Sequence, residues 1–300
     1  MWITLLCLEE KILSILTAVF QALGQVLTFL FPVSESGHSA IFHDFAGRYT
    51  GSCSELTGLI HIGMAVGIAV AFYKVFIKLI YEFFSGWADL FKKRLSVKDS
   101  SNSRKFMYFT LIPYVFMLIY LIPVSKEKNI YRLLNSTSYN GDVLGEGICF
   151  AVTGALLLVA WKILSKNEKG TRLSLPYAVI VGLAVFITLP IGGFSLCATV
   201  ICVLLICGVN KKVAFRYFVS LSVPILLVGG IIEIVNCVTY VNIISGIIAV
   251  VIAGGASYIV SKFTLYIFTQ NKLKYFAFYD FAIGAVAVIA GIVELIINRG

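Results

Sequence analysis

Residues 177–209 read YAVIVGLAVFITLPIGGFSLCATVICVLLICGV, an apolar run broken at its middle by Pro190-Ile191-Gly192-Gly193-Phe194-Ser195. By length alone it would cross a hydrocarbon layer of about 30 Å once. The flanking charges disagree. Lys166, Lys169 and Arg172 precede the run and Lys211, Lys212 and Arg216 follow it, and clusters of Lys and Arg mark the cytoplasmic side of membrane segments. A single crossing would put one cluster outside, so the segment is expected to be a helical hairpin that enters and returns on the cytoplasmic side with the break at its tip.

A second run is broken in the same way. Ile12 to Phe31 is apolar, then Pro32-Val33-Ser34-Glu35-Ser36-Gly37-His38 interrupts it before a short apolar continuation. Between and beyond the two breaks, uninterrupted apolar spans cover residues 56–84, 106–124, 147–165, 217–236, 243–268 and 276–297, each suited to a tilted crossing helix. With 59% hydrophobic residues, 13% charged residues and a mean hydropathy of +0.95, the chain cannot be a soluble globule. Its net charge of +9 sits in the gaps between spans, which argues against a nucleic-acid partner and for topology signals. The gap 92–105 carries Lys92, Lys93, Arg94, Lys98, Arg104 and Lys105 against Asp99 and is expected inside, as is the 269–275 loop with Lys272 and Lys274. The balanced 125–146 segment and the acidic 35–55 segment (Glu35, Asp44 and Glu55 against Arg48) are expected outside, and both termini with them.

The expected fold is thus an all-α polytopic membrane protein. About six crossing helices and two re-entrant hairpins, one dipping from each side, make an inverted-topology repeat. It is read as one integral membrane domain, 1–300, with repeats over approximately 10–165 and 172–297. Irregular backbone at membrane depth needs protein or a water-filled cavity around it, so the two tips should meet and line a site. Half-helices starting after each break would aim their N-terminal amides there, favouring an anionic head group on an apolar tail. Cys7, Cys53, Cys149, Cys197, Cys202, Cys207 and Cys237 form no CxxC pair and are read as small hydrophobes, without a disulfide framework or thiolate metal site. Met1 to Leu8 is apolar at once and is followed by Glu9, Glu10 and Lys11, so a cleaved secretory leader is not expected.

The stretch Gln25-Val26-Leu27-Thr28-Phe29-Leu30-Phe31-Pro32-Val33-Ser34-Glu35-Ser36-Gly37-His38 resembles the first signature of the undecaprenyl-diphosphate phosphatase family, bacitracin-resistance type, in Thr28, Pro32, Val33, Ser34, Gly37 and His38. Gly208 to Lys212, through Tyr217 to Pro224, is similar to a later family stretch. Leu273-Lys274-Tyr275-Phe276-Ala277-Phe278-Tyr279 followed by Gly284 is similar to another. The resemblance implies a hydrolase of the plasma membrane, facing outward, that removes the terminal phosphate of undecaprenyl diphosphate and recycles the lipid carrier of cell-wall peptidoglycan synthesis. It also implies a divalent cation, magnesium or calcium, a polyprenyl phosphate or diphosphate lipid as partner and, as an option, a homodimer.

At several family positions this chain differs. The two family glutamates fall at Gln25 and Phe29, and in Ile191 to Thr199, which lines up with the second signature, Gly192 and Thr199 are kept while Ser195 stands at the arginine position. The resemblance makes His38, Ser34, Ser36 and Glu35 the catalytic candidates, with Glu35 also a metal ligand. Gln25, Thr28, Gly37, Gly192, Gly193, Ser195 and Thr199 would then line the substrate pocket. Each has a structural alternative: Glu35 and His38 as polar residues at a helix start, Ser34 and Ser36 as N-caps. His61 and Glu233, polar within spans, are candidates by default or hydrogen-bonding partners of a hairpin tip. Two functions remain open: hydrolysis of the diphosphate, or a catalytically impaired relative that binds or translocates a polyprenyl phosphate lipid.

Overall fold

The computed structural model describes residues 2–45, 55–92, 100–125, 129–135, 143–164, 170–237 and 241–297. They form helices α1 (Trp2–Leu30), α2 (Glu35–Phe45), α3 (Glu55–Ala71), α4 (Tyr73–Phe91), α5 (Asn102–Met117), α6 (Ile130–Asn135), α7 (Leu144–Leu164), α8 (Leu175–Thr188), α9 (Leu196–Ile206), α10 (Lys211–Val235), α11 (Ile243–Thr269) and α12 (Leu273–Ile297). Among the described residues there is no β-sheet; two isolated bridges occur. Five helical stretches are long and apolar enough to cross a membrane: Asn102–Leu121, Leu144–Leu164, Lys211–Val235, Ile243–Thr269 and Leu273–Ile297. Taking α3 and α4 together as one broken span gives a sixth. The chain is therefore an all-α, multi-pass membrane protein.

The expected span 56–84 is broken after Ala71. Hydropathy hides the reason. Lys74, Lys78, Glu82, Ser85 and Asp89 recur at helical spacing and give α4 a polar stripe, whereas Ile77, Ile80, Tyr81, Phe84, Trp87 and Phe91 are exposed on the rest of its surface. Arg104 at the start of α5 reads that stripe. Its Nε donates to Glu82 at 3.1 Å, and its two terminal nitrogens donate to Asp89 and Ser85 at 2.5 Å each, so one guanidinium joins α5 to three positions of α4.

The chain divides into two compact units. The first comprises Met1–Phe31, Thr50–Phe72 and Leu221–Thr264. Glycines set its packing: a Cβ on Gly58 would stand 2.6 Å from the Gly230 carbonyl oxygen, and one on Gly63 would stand 2.6 Å from that of Val250. Bare backbone at these points lets α3 lie against α10 and α11, as small residues do where membrane helices touch. His61 and Glu233 flank the Gly58–Gly230 contact, each half-buried. Gln21 Nε2 donates to Thr57 Oγ1 at 3.1 Å, tying α1 to α3.

The second unit comprises Pro32–Tyr49, Tyr73–Ser220 and Leu265–Gly300. Here α7 and α12 run antiparallel: Gly147 faces Gly284, Gly154 faces Ala277, and Gly291 faces Leu144. Helices α8 and α9 form a hairpin whose two ends are bonded together. Thr171 N donates to Gly208 O at 2.6 Å and Asn210 N donates to Thr171 O at 3.1 Å, so the chain leaves this segment beside the point where it entered. Gly208, at φ +79°, makes the exit: its N–H bonds Leu205 O and that of Val209 bonds Leu204 O, satisfying the last carbonyls of α9.

Candidate active site

Within the second unit the two sequence breaks meet. Pro32 and Val33 end the first apolar run, and Ser34 then caps α2 by accepting the Gly37 N–H at 3.0 Å. Ser195 caps α9 in the same way, accepting from Ala198 N at 3.2 Å. The caps are neighbours: Ser34 Oγ donates to the carbonyl of Phe194 at 3.1 Å, and Gly193 N donates to Ser36 Oγ at 3.2 Å. Two helix N-termini, each the positive end of a helix dipole, therefore lie beside each other.

Close approach demands glycine on both sides. A Cβ on Gly37 would stand 2.6 Å from the Phe150 ring and 3.0 Å from Gly193 Cα. One on Gly193 would stand 2.7 Å from Cys149 Cβ and 2.9 Å from Glu146 Cα, at a φ of +88°. Gly192 is buried beside it, and Thr199, one turn into α9, is 3% exposed.

Hydroxyl protons can be assigned from these partners. Ser34 gives its only proton to the Phe194 carbonyl, so the 3.2 Å contact between Ser34 and Ser36 has Ser36 as donor. Ser34 is fully buried and Ser36 half-buried. His38 is held from both ring nitrogens: Nδ1 lies 2.5 Å from the Ser34 carbonyl oxygen and Nε2 lies 2.6 Å from the Tyr279 hydroxyl. A carbonyl only accepts, so Nδ1 carries the proton, and in the neutral ring Nε2 accepts from Tyr279. The ring packs edge-on to Phe150 and nearly parallel to Tyr279. Helix α2, at 11 residues, does not span a membrane. Burial pulls the His38 pKa below the ordinary histidine value, opposed by the hydrogen bond to Ser34.

The remaining candidates are distributed as follows. Glu35 opens α2 and is half-buried. Gln25 and Thr28 belong to the first unit. Gln25 Oε1 is buried with no hydrogen-bond partner among the described residues, while Thr28 Oγ1 donates to Gly24 O within its own helix at 2.8 Å. Ser195, at the family arginine position, is 2% exposed and committed to its cap. Sequence reading gave no role to Tyr279, Phe150 or Glu146. Tyr279 lies in a quoted family-like stretch, which was the available signal, but its contact with His38 spans 241 positions. Glu146, 4% exposed in the first turn of α7, lies against Gly193 and had no local motif.

A bound divalent cation needs several donors pointing at one spot. Among the described residues no group of three or more His, Cys, Asp or Glu side chains could hold a metal ion, and both nitrogens of His38 are engaged. Among the described residues the donor set therefore does not fit a cation caged by three or more such side chains.

Residues 18–286 match the family model described as bacitracin resistance protein BacA. An undecaprenyl-diphosphatase of Halothermothrix orenii is 26% identical over 288 residues, which is 93% of this chain and all of that protein. One from Treponema denticola is 29% identical over 280 residues, covering 91% of this chain and 96% of the relative. Another, of Methanobrevibacter smithii, is 24% identical over 94% of this chain and its own full length.

Proposed function

The chain belongs to the bacitracin resistance protein BacA family, and on that premise we propose that it is a membrane phosphatase converting undecaprenyl diphosphate, or a similar polyprenyl diphosphate, to the monophosphate. One observation carries the reading: the two breaks are bonded to each other at Ser34–Phe194 and Ser36–Gly193, with His38 one turn away. Two capped helix N-termini offer amides and dipole to a phosphate, while the Ser34 and Ser36 hydroxyls serve as the scaffold that joins them. Neutral His38 is the general base that ends up with the proton released when water attacks the terminal phosphorus, a role suited to a base titrating below neutrality.

The proposal includes the topology. The α8–α9 hairpin is re-entrant from the cytoplasmic side, which the Thr171 bridge across its ends supports. The first break is its inverted counterpart, dipping from outside, in repeats over about 10–165 and 172–297. Both breaks are followed by a serine-capped helix of 11 residues, α2 and α9, which supports the repeat. The protein would sit in the plasma membrane with both termini and the site facing outward, recycling the lipid carrier for peptidoglycan.

Ser195 in place of an arginine favours a second reading, lipid binding or translocation without hydrolysis. Purified protein given undecaprenyl diphosphate with magnesium or calcium separates the two. Phosphate release that is lost in His38→Ala supports the phosphatase; retained lipid binding with no release supports the second reading and rejects the first.

A further inference from the structure

Tyr279 lies in α12, and its hydroxyl is the group that occupies the basic nitrogen of His38. Three facts fix the arrangement. Nδ1 is committed as donor to the Ser34 carbonyl, so the neutral ring has a single lone pair, on Nε2. That lone pair takes the Tyr279 O–H at 2.6 Å. The two rings are within 5° of parallel, with centroids 5.7 Å apart, and Phe150 closes a second side of the imidazole edge-on at 5.2 Å. His38 thus has no free nitrogen to present to water or phosphate. Tyr279, by contrast, is only partly covered by protein, at 46% exposed.

We propose that Tyr279 is the positioning residue of the site, holding the His38 ring through Nε2 and carrying the proton between that nitrogen and the reacting water. The step balances. As water attacks the terminal phosphorus, its O–H proton passes to the Tyr279 oxygen while the Tyr279 proton passes to Nε2. The new oxygen–phosphorus bond forms, and the bond from that phosphorus to the bridging oxygen breaks. Products are polyprenyl monophosphate and inorganic phosphate, and the imidazolium returns its proton through Tyr279 to the departing phosphate. Tyr279 is unchanged at the end. This rests on the phosphatase reading above, but the His38–Tyr279 pairing can be tested apart from it.

The test is Tyr279→Phe, which keeps the ring and removes the hydroxyl. The expected result is a fall in kcat of about tenfold or more with KM nearly unchanged. The acid limb of the pH profile should also move upward, by about half a pH unit or more, because a donor to neutral Nε2 favours the uncharged ring and its loss reverses that. The chain has three histidines, His38, His43 and His61, so nitrogen-15 labelling of histidine gives a separate readout. Wild type should show protonated Nδ1 and hydrogen-bonded Nε2 at His38; Tyr279→Phe should shift the Nε2 signal toward that of a free imine nitrogen and leave His61 in place.

Unchanged kcat, pH limb and Nε2 signal overturn the proposal while leaving the phosphatase intact. If wild-type protein releases no phosphate, the phosphatase reading fails, and the nitrogen signals alone decide the pairing: a shift supports it and an unmoved Nε2 overturns it. Should Tyr279→Phe not fold, difluorotyrosine at 279 replaces it. Its more acidic hydroxyl should move Nε2 further from the free-imine position, and an unmoved signal overturns the proposal.

Discussion

Gly193 and Gly208 both have positive φ, +88° and +79°, yet their surroundings differ, and the comparison measures how tightly the two breaks are pressed together. Placing Ala in the left-handed region costs about 1–2 kcal/mol. At Gly208 that is the whole cost, since nothing lies within 4 Å of an added Cβ. At Gly193 the new methyl meets Cys149 Cβ at 2.7 Å and Glu146 Cα at 2.9 Å. Neither is the far end of a flexible side chain. Backbone must shift, adding about 1–3 kcal/mol of overpacking and pulling Gly193 N from Ser36 Oγ. The expected destabilisation is about 1–2 kcal/mol for Gly208→Ala and about 2–5 kcal/mol for Gly193→Ala. Thermal unfolding of the two variants in the same detergent should show the larger loss in Tm at Gly193, at about 2–4 °C per kcal/mol for chains above 150 residues. Equal shifts, or a Gly193→Ala protein with wild-type Tm, would refute the close packing from which the site is built.

Other outcomes follow from the same geometry. Ser34→Ala removes the α2 cap and the link to Phe194 and should cost about 1–2 kcal/mol in thermal unfolding, whereas Ser36→Ala should lower phosphate release with a smaller loss of Tm. Ser195→Arg, which would restore the family residue, should instead lower Tm by removing the α9 cap and burying an unpaired charge, a loss of several kcal/mol, and should leave phosphate release no higher. Because burial lowers the His38 pKa, the proton-accepting form predominates at pH 7, and phosphate release should fall only as pH drops beneath the ordinary histidine value of 6.5; a midpoint above 6.5 would contradict this.

Much of the scaffold was legible because hydropathy and charge report what bilayers select for. The spans at 147–165, 217–236, 243–268 and 276–297 correspond to α7, α10, α11 and α12, although α10 and α12 start earlier, their first turns carrying Lys211, Lys212 and Lys274 that lower local hydropathy without disturbing a helix. Around 177–209 the Pro and Gly break marks where helix α8 gives way to α9, and the two ends of that pair are bonded through Thr171 to Gly208 and Asn210. The division of 56–84 was missed because an average over a window cannot see the stripe of Lys74, Lys78 and Glu82. Site residues split along the same line. Pro, Gly and Ser at the breaks advertise non-helical backbone locally, but Tyr279, Phe150 and Glu146 reach the site only through the packing of α7 and α12 around it, which no local pattern encodes.

The most direct measurement is the steady-state release of inorganic phosphate from undecaprenyl diphosphate by the wild-type protein in lipid vesicles, counted per protein molecule. Many phosphates per molecule, abolished in His38→Gln while the lipid still binds, is the predicted result. Bound diphosphate with no release, or release at the wild-type rate in His38→Gln, would contradict the assignment of the joined breaks as a phosphatase centre.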